Sequence, residues 1–258
     1  MTNRKAFFDI IRAKVFHGVM HQRQVDGVNS ILEAWDKAVP NADARFVAYA
    51  LATAHWETAG TMQPIEEYGR GCGHRYGEPA GPCGNCYYGR GFVQLTWLEN
   101  YQRAEAELHK RSVLKPEESL VENPELALRP DVAAAIMIHG MLEGWFTGHK
   151  LADFFHGDCS DWIEARTIIN GHNRARQVAG DALHFYAALQ AQRKAPAVEP
   201  APGKPEVLKD RKAFFDIVRD KIFHGTMRQR QVDGMNSILE AWEKAAPNAD
   251  PRFVAYAL

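Results

Sequence analysis

Residues 25–57 read VDGVNSILEAWDKAVPNADARFVAYALATAHWE and contain two apolar stripes. Apolar residues three or four positions apart lie on one face of a helix. The first stripe consists of Val25, Val28, Ile31, Leu32 and Trp35, and the second of Phe46, Val47, Ala50, Leu51 and Ala54. Pro40 separates the stripes, and Asn41 or Asp43 can cap the second helix. The stretch therefore predicts two amphipathic helices and a fold built mainly from helices.

The rest of residues 1–191 continues the helical pattern, except for one glycine-rich segment. Further helices are predicted near 117–128, 131–146, 160–169 and 175–192. Residues 69–91 hold eight glycines in 23 positions, which predicts loops and short strands. FVQLTW (92–97) alternates apolar and polar residues, which predicts a strand with Gln94 and Thr96 on one face. The predicted fold class is mainly α (α+β), with a small Gly-rich β-hairpin region.

The end of the chain repeats its beginning. Residues 211–258 match residues 4–51 at 39 of 48 positions, with a constant offset of 207. Four prolines between the copies predict an extended linker over 192–209. We therefore expect a catalytic domain over 1–191, a Pro/Ala-rich linker over 192–209, and a partial repeat over 210–258 without catalytic residues. We expect a monomer, and the near-identity of the copies leaves swapping through the C-terminal repeat open.

Composition excludes several classes of protein. The formal net charge is −1, which disfavours nucleic acid as a partner. With 46% hydrophobic and 24% charged residues, the chain can form a packed core and is not of the disordered class. No apolar stretch approaches the roughly 18 residues of a membrane span, and MTNRKAFFDII (1–11) is too charged for a secretion signal. Four cysteines, Cys72, Cys83, Cys86 and Cys159, suit a reducing cytoplasm.

Three carboxylates are candidates for catalysis. Glu57 continues the second apolar stripe, so partial desolvation is expected to raise its pKa. The alternative is a buried acid paired with Arg70 or another cation. Glu66 and Glu67 follow in PIEEYGRG (64–71), where Pro64 is expected to have ended the helix. Two carboxylates on opposite walls of a cleft are the minimum machinery for cleaving a glycosidic bond.

Three motifs together resemble the catalytic domain of glycoside hydrolase family 19. They are AHWETAG (54–60), YYGRGFVQLTWLENY (87–101) and TIINGHN (167–173). The likeness covers roughly residues 4–190, is greatest to the phage and prophage branch of endolysins and predicted chitinases, and is most specific in YGRG, QLTW and NY. It implies a lysozyme-like fold and inverting hydrolysis of β-1,4 bonds between N-acetylated amino sugars. It implies no cofactor.

The resemblance also implies roles for individual residues. Glu57 matches the general acid, Glu66 the general base with a one-residue ambiguity toward Glu67, and Thr96 the hydroxyl on the attacking water. The polar and aromatic positions that bind sugar in the family fall on Gln94, Asn100, Asn170, Tyr88 and Tyr101. A buried core position is the alternative for Tyr101, as it is for Trp97. One departure is Ala182, where plant-type members carry an arginine.

Other function classes stay open at this point. His55, Glu57, Cys83 and Cys86 formally satisfy the zinc deaminase pattern of H-x-E followed by P-C-x-x-C. A structural zinc on Cys72, His74, Cys83 and Cys86 is a separate alternative, and we leave the metal unassigned. A third alternative is an inactive cell-wall-binding module. The sequence does not separate peptidoglycan from chitin, and we prefer peptidoglycan, attacked after the enzyme leaves the cytoplasm of the producing cell.

Overall fold

The computed structural model describes residues 4–194 and, beyond them, residues 219, 229–230, 232–234 and 236–237. The chain divides into two units, Met1–Ala195 and Pro196–Leu258. The predicted linker beyond residue 194 and most of the repeat therefore lie outside the described residues. The account below concerns the first unit.

Helix α1 spans Lys5–Lys14, α2 spans Gln22–Ala38 and α3 spans Ala44–Glu57. Helices α2 and α3 follow the two predicted apolar stripes, whereas α1, which precedes them, was not predicted. On α2 the buried side chains include Val28, Ile31, Leu32 and Trp35, as the stripe predicted. The Asp43 carboxylate accepts a hydrogen bond from the backbone N–H of Arg45 at 2.8 Å, which confirms Asp43 as the cap of α3.

The core is arranged around α3. The remaining helices are α4 (Leu98–Lys110), α5 (Pro130–Glu143), the one-turn α6 (Leu151–Phe154) and α7 (Ala175–Lys194). Helix α3 buries side chains at every position from Ala44 to Ala54 except 45 and 46, and packs chiefly on α7. Helix α1 also packs on α7, and α2 packs on α5. Because its end is fixed on several sides, α3 places Glu57 at a defined point.

Two short antiparallel hairpins complete the fold. Strand β1 (Ile65–Glu66) pairs with β2 (Arg90–Gly91), with Glu66 opposite Arg90. Strand β3 (Phe155–His156) pairs with β4 (Cys159–Ser160). The glycine-rich residues between β1 and β2 form turns and one 3-10 turn at Arg75–Gly77. The prediction of a mainly helical fold with a small Gly-rich hairpin is confirmed.

Two segments that the sequence predicted as α-helices contain only 3-10 helix and turns. Residues 117–128 form turns followed by a 3-10 segment at Pro124–Leu128, and residues 160–169 contain only the 3-10 segment Glu164–Ile168. The helix predicted at 131–146 ends at Glu143, because Gly144 adopts the left-handed conformation (φ +71°) that stops a helix. The helix predicted at 175–192 is confirmed as α7.

The strand predicted at 92–97 is also wrong. Gln94 and Trp97 have φ values of +52° and +72°, outside the extended region, so the alternation of a strand is broken. Leu95 and Arg90 exchange backbone hydrogen bonds of 2.9 and 3.3 Å, which close a tight turn after β2. Gln94 and Thr96 still face one cavity, but the turn places them there.

The end of α3 differs from the prediction as well. The helix ends at Glu57, seven positions before Pro64. The Thr58 hydroxyl donates to the carbonyl of Ala54 at 2.7 Å and accepts from the N–H of Met62 at 3.1 Å, which turns the chain without proline. Among the described residues, no helix is both long enough and apolar enough to cross a membrane.

Candidate active site

A cavity of about 750 Å³ lies where the end of α3, the β1–β2 hairpin and the turn before α4 meet. It brings together residues that are far apart in the sequence. Seven of the sequence-derived candidates line it: Glu57, Glu66, Glu67, Gln94, Thr96, Asn100 and Asn170. Because these residues are acids, amides and a hydroxyl, the cavity has the groups needed to bind a polar substrate and transfer protons.

Glu57 enters the cavity from the last position of α3. Its Oε1 lies 2.7 Å from Nη2 of Arg166, and only 16% of the Glu57 side chain is exposed. Arg166 is itself buried, and its Nε donates to the carbonyl of Asn173 at 3.0 Å. The acid is therefore not isolated on an apolar face. It faces a buried guanidinium, and the partner is Arg166 rather than Arg70.

Glu66 occupies β1 and is held by two donors. The Tyr88 hydroxyl donates to Oε1 at 2.6 Å, and Nη2 of Arg70 donates to Oε2 at 2.8 Å. The Tyr88 hydroxyl and the Arg70 guanidinium hold the pKa of Glu66 below its usual range, against the opposing effect of burial. The Glu66 carboxylate is therefore ionised at neutral pH, as a general base must be.

The neighbouring acid, Glu67, is also bound at both oxygens. The Tyr76 hydroxyl donates to Oε1 at 2.9 Å, and the backbone N–H of Gly89 donates to Oε2 at 3.0 Å. Burial, followed by the bond to Glu67, raises the pKa of Tyr76 to about 12. Glu67 thus joins Tyr76 of the glycine-rich loop to Gly89, next to β2. Glu66 differs, because one of its two partners, Arg70, is exposed to solvent.

The amide side chains of Gln94 and Asn100 stabilise the turn and also line the cavity. Nε2 of Gln94 donates to the carbonyls of Ile65 and Gly91 at 3.0 and 3.1 Å, so the amide nitrogen joins the turn to both strands. Asn100 Nδ2 donates to the carbonyl of Thr96 at 2.9 Å. A Cβ atom at Gly89 would lie 2.8 Å from Gln94 Oε1, so a larger residue at this position would require the amide to shift.

Two candidates from the sequence do not reach the cavity. Tyr88 is 7% exposed and Tyr101 is fully buried. The Tyr101 hydroxyl donates to the carbonyl of Tyr88 at 3.0 Å, and the Arg90 guanidinium lies 3.7 Å from the centroid of the Tyr88 ring. Neither ring is available to stack on a sugar, because both are buried and neither lines the cavity. Tyr88 instead acts on the cavity through its bond to Glu66.

Other aromatic rings line the cavity in their place. Trp97 is 43% exposed, so the alternative of a core position is wrong for this residue. Its ring meets that of Tyr76 edge to face at 5.4 Å, and His74 stacks on Tyr76 at 4.9 Å. Trp56 lines the cavity beside Glu57. No sequence motif assigns a binding role to Trp56 or Tyr76, and it is the tertiary structure that places them at the cavity.

The structure does not assemble either zinc arrangement. Cys72 and Cys83 are exposed, Cys86 is half-buried, and all three are free thiols. Within residues 4–194 and the few described residues beyond, no three His, Cys, Asp or Glu side chains are placed to hold a metal ion. His55 is a ligand in the deaminase pattern, but its Nδ1 atom lies 2.9 Å from Oδ2 of Asp181.

Comparisons with known proteins show a structural likeness to a chitinase. No protein family and no curated protein matches the chain. The crystal structure of a mutant of chitinase C is similar, with a TM-score of 0.44 and 21% sequence identity over 77% of this chain and 95% of that chain. The roles of the cavity residues in this chain rest on their own geometry and chemistry.

Proposed function

We propose that this protein is a glycoside hydrolase that cleaves β-1,4 bonds between N-acetylated amino sugars with inversion of the anomeric carbon. The observation that carries the proposal is the entry of Glu57 and Glu66 into one cavity from two separate elements, α3 and β1. Carboxylates on different walls leave room between them for a sugar and a water molecule. We further propose peptidoglycan as the substrate, with chitin as the alternative.

In the proposed reaction Glu57 acts as the general acid and Glu66 as the general base. Glu57 donates a proton to the glycosidic oxygen as the bond to the anomeric carbon breaks. Oε1 of Glu57 is paired with Arg166, so we assign the transferred proton to Oε2 of Glu57. Glu66 removes a proton from the water that attacks the opposite face of the sugar, and Thr96 aligns that water. A new hemiacetal and a free alcohol are the products.

Aromatic rings and amides supply the binding surface. Sugar rings present apolar C–H faces that pack on indole and phenol rings, while their hydroxyl and acetamido groups form hydrogen bonds. Trp97 and Tyr76 offer such rings and Asn170 offers an amide, and all three line the cavity. This combination suits the uncharged N-acetylated sugar rings of a polysaccharide.

The first test identifies the base. We expect Glu66→Gln to lower the turnover of chitin hexamer or purified peptidoglycan by about two orders of magnitude, because an amide does not accept the proton of the attacking water. The matched variant Glu67→Gln is expected to keep measurable turnover. Sodium azide, which needs no deprotonation, should restore product formation in Glu66→Gln as a glycosyl azide. Rescue of Glu67→Gln alone would instead assign the base to Glu67.

The pH dependence gives a second test of Glu66. A base with a lowered pKa stays ionised to lower pH, so the acid limb of the rate profile lies below the usual range of a glutamate. Tyr88→Phe removes the hydroxyl that contributes most to this shift, so the limb should move to higher pH. Measuring kcat/KM between about pH 3 and pH 8 checks this. An unchanged limb contradicts the assignment of Glu66.

A third test concerns the C-terminal repeat. The unit Met1–Ala195 contains every cavity residue and a continuous apolar core. Deletion of residues 196–258 is therefore expected to keep specific activity within about threefold, because a compact unit with its own core folds independently. Gel filtration and product release measure the result. Loss of most activity in a folded, monodisperse 1–195 protein would show that the repeat takes part in catalysis.

One experiment separates the proposed function from its alternatives. The protein is incubated with peptidoglycan, with chitin hexamer and with a panel of nucleosides, and the products are analysed by mass spectrometry and by NMR of the anomeric protons. Initial release of the inverted anomer supports the hydrolase. Deamination that a chelator abolishes supports the zinc enzyme, and saccharide binding without products supports an inactive wall-binding module.

A further inference from the structure

Trp56 has an unusual environment for a residue next to a catalytic acid. Its ring lines the cavity immediately before Glu57. Its Nε1 donates to Oδ2 of Asp181 on α7 at 2.8 Å. The same Oδ2 atom lies 2.9 Å from Nδ1 of His55. One carboxylate oxygen on α7 therefore holds two consecutive side chains in the last turn of α3.

Further contacts fix these rings from other sides. The Arg174 guanidinium lies 5.2 Å from the centroid of the Trp56 ring, within the range of a cation–π contact. The His55 ring meets Phe16 edge to face at 5.1 Å. The indole of Trp56 thus has its N–H held by one helix and a guanidinium near its ring, which together define the plane that it presents to the cavity.

Helices α3 and α7 do not need the Asp181 carboxylate to hold them together. Both helices bury apolar side chains, among them Ala54 and Ala182, and burial of such surface holds helices together without a charge. Only 19% of the Asp181 side chain is exposed, and taking a carboxylate out of water costs free energy. That cost is understandable if the bonds to His55 and Trp56 orient a ring that contacts substrate.

We propose that Trp56 packs against a sugar ring of the saccharide bound beside Glu57, and that Asp181 is the positioning residue that sets the plane of the Trp56 indole. This inference rests on the proposed function, since it takes an N-acetylated saccharide as the ligand. It adds to the site a pair of residues that the motif resemblance did not assign.

The first experiment reads the Trp56 indole directly. In the nitrogen-15 spectrum of the full-length protein, Trp56→Phe identifies which of the six tryptophan indole signals belongs to Trp56. Asp181→Ala should shift that signal and speed its exchange with water, because the N–H loses its acceptor. Adding N-acetylglucosamine tetramer to the Glu57→Gln protein should shift the same signal. The indole of Trp162, which packs among Phe155, Tyr49 and Tyr186 outside the cavity, serves as the internal control.

The outcomes distinguish the inference from the proposed function. If the saccharide shifts no indole or amide signal of the cavity, both the proposed function and the inference fail. If it shifts the signals of Trp97 and Gln94 but not that of Trp56, the function stands and the inference is overturned. A shift at Trp56 that is weakened by Asp181→Ala supports both parts.

The second experiment tests whether Asp181 acts through Trp56. We expect Asp181→Ala and Trp56→Phe each to lower kcat/KM by about tenfold, the effect of losing one hydrogen bond to a charged group. The double variant should fall no further than Trp56→Phe alone. Asp181→Asn, which keeps an acceptor oxygen, should recover most of the loss, and Trp162→Phe should stay near the parent value. Additive losses, or an equal loss in Trp162→Phe, would overturn the positioning role.

Discussion

Glu57→Gln is expected to lower saccharide hydrolysis by about two orders of magnitude or more, with the fold intact. Glutamine preserves the shape of the side chain and can still bond to Arg166, but it has no proton to give to the leaving oxygen. The rate of product release from chitin hexamer and from peptidoglycan, measured by mass spectrometry, checks the loss. Circular dichroism and the thermal midpoint check the fold.

A matched control separates loss of the acid from a general loss of charge. Glu164 is half-exposed and lies beside His172, with 2.9 Å between Oε2 and Nε2. Glu164→Gln should therefore leave turnover close to that of the parent protein. If Glu57→Gln retains near-normal hydrolysis, or if both variants lose it equally, Glu57 is not the proton donor and the proposed mechanism fails.

The second large effect is expected at Arg166. Arg166→Met should lower the free energy of unfolding by about 3 kcal/mol, because it removes a buried guanidinium that faces Glu57 and donates to the carbonyl of Asn173. Turnover should fall as well, since the same guanidinium fixes Oε1 of Glu57. Urea titration followed by tryptophan fluorescence gives the stability, and the hydrolysis assay gives the rate.

Two controls show whether the ion pair causes the loss. Adding Glu57→Gln to Arg166→Met should recover part of the stability, because a neutral amide beside the methionine costs less to bury than a carboxyl group that can ionise. Arg12 pairs with Asp9 on the surface of α1, so Arg12→Met should leave stability close to that of the parent protein. If the double variant is less stable than Arg166→Met, the Arg166–Glu57 pair is not the origin of the effect.

Helices α2, α3, α5 and α7 could be predicted because their information is local, whereas α1 and α4 were not predicted. The stripe from Val28 to Trp35 and the cap at Asp43 each specify an element within a few turns of chain, and both are present. The short elements could not be predicted in the same way. Residues 92–97 alternate like a strand, but the positive φ values of Gln94 and Trp97 close a turn against Arg90. Tertiary contacts decide such conformations, since six residues have too little propensity of their own.

The cavity shows the same division. The resemblance of the motifs was sufficient to identify Glu57, Glu66 and Thr96 as candidate catalytic residues, and all three line the cavity. It also nominated Tyr88 and Tyr101, because a sequence pattern records a residue type and not the direction in which its ring points. Both rings are buried, and Tyr88 reaches the cavity only through Glu66.

The sequence by itself determined the helical class, the hairpin region and the candidate acids, because each depends on residues close together in the chain. Direct comparison of residues 4–51 with residues 211–258 showed the repeat. Only the tertiary structure decided which groups surround those acids. Arg166 lies 109 positions after Glu57, and Asp181 lies 125 positions after Trp56. Nothing in the local pattern links such residues. They meet because α7 and the 3-10 segment Glu164–Ile168 fold back beside the end of α3, where burial makes each charge depend on its partner.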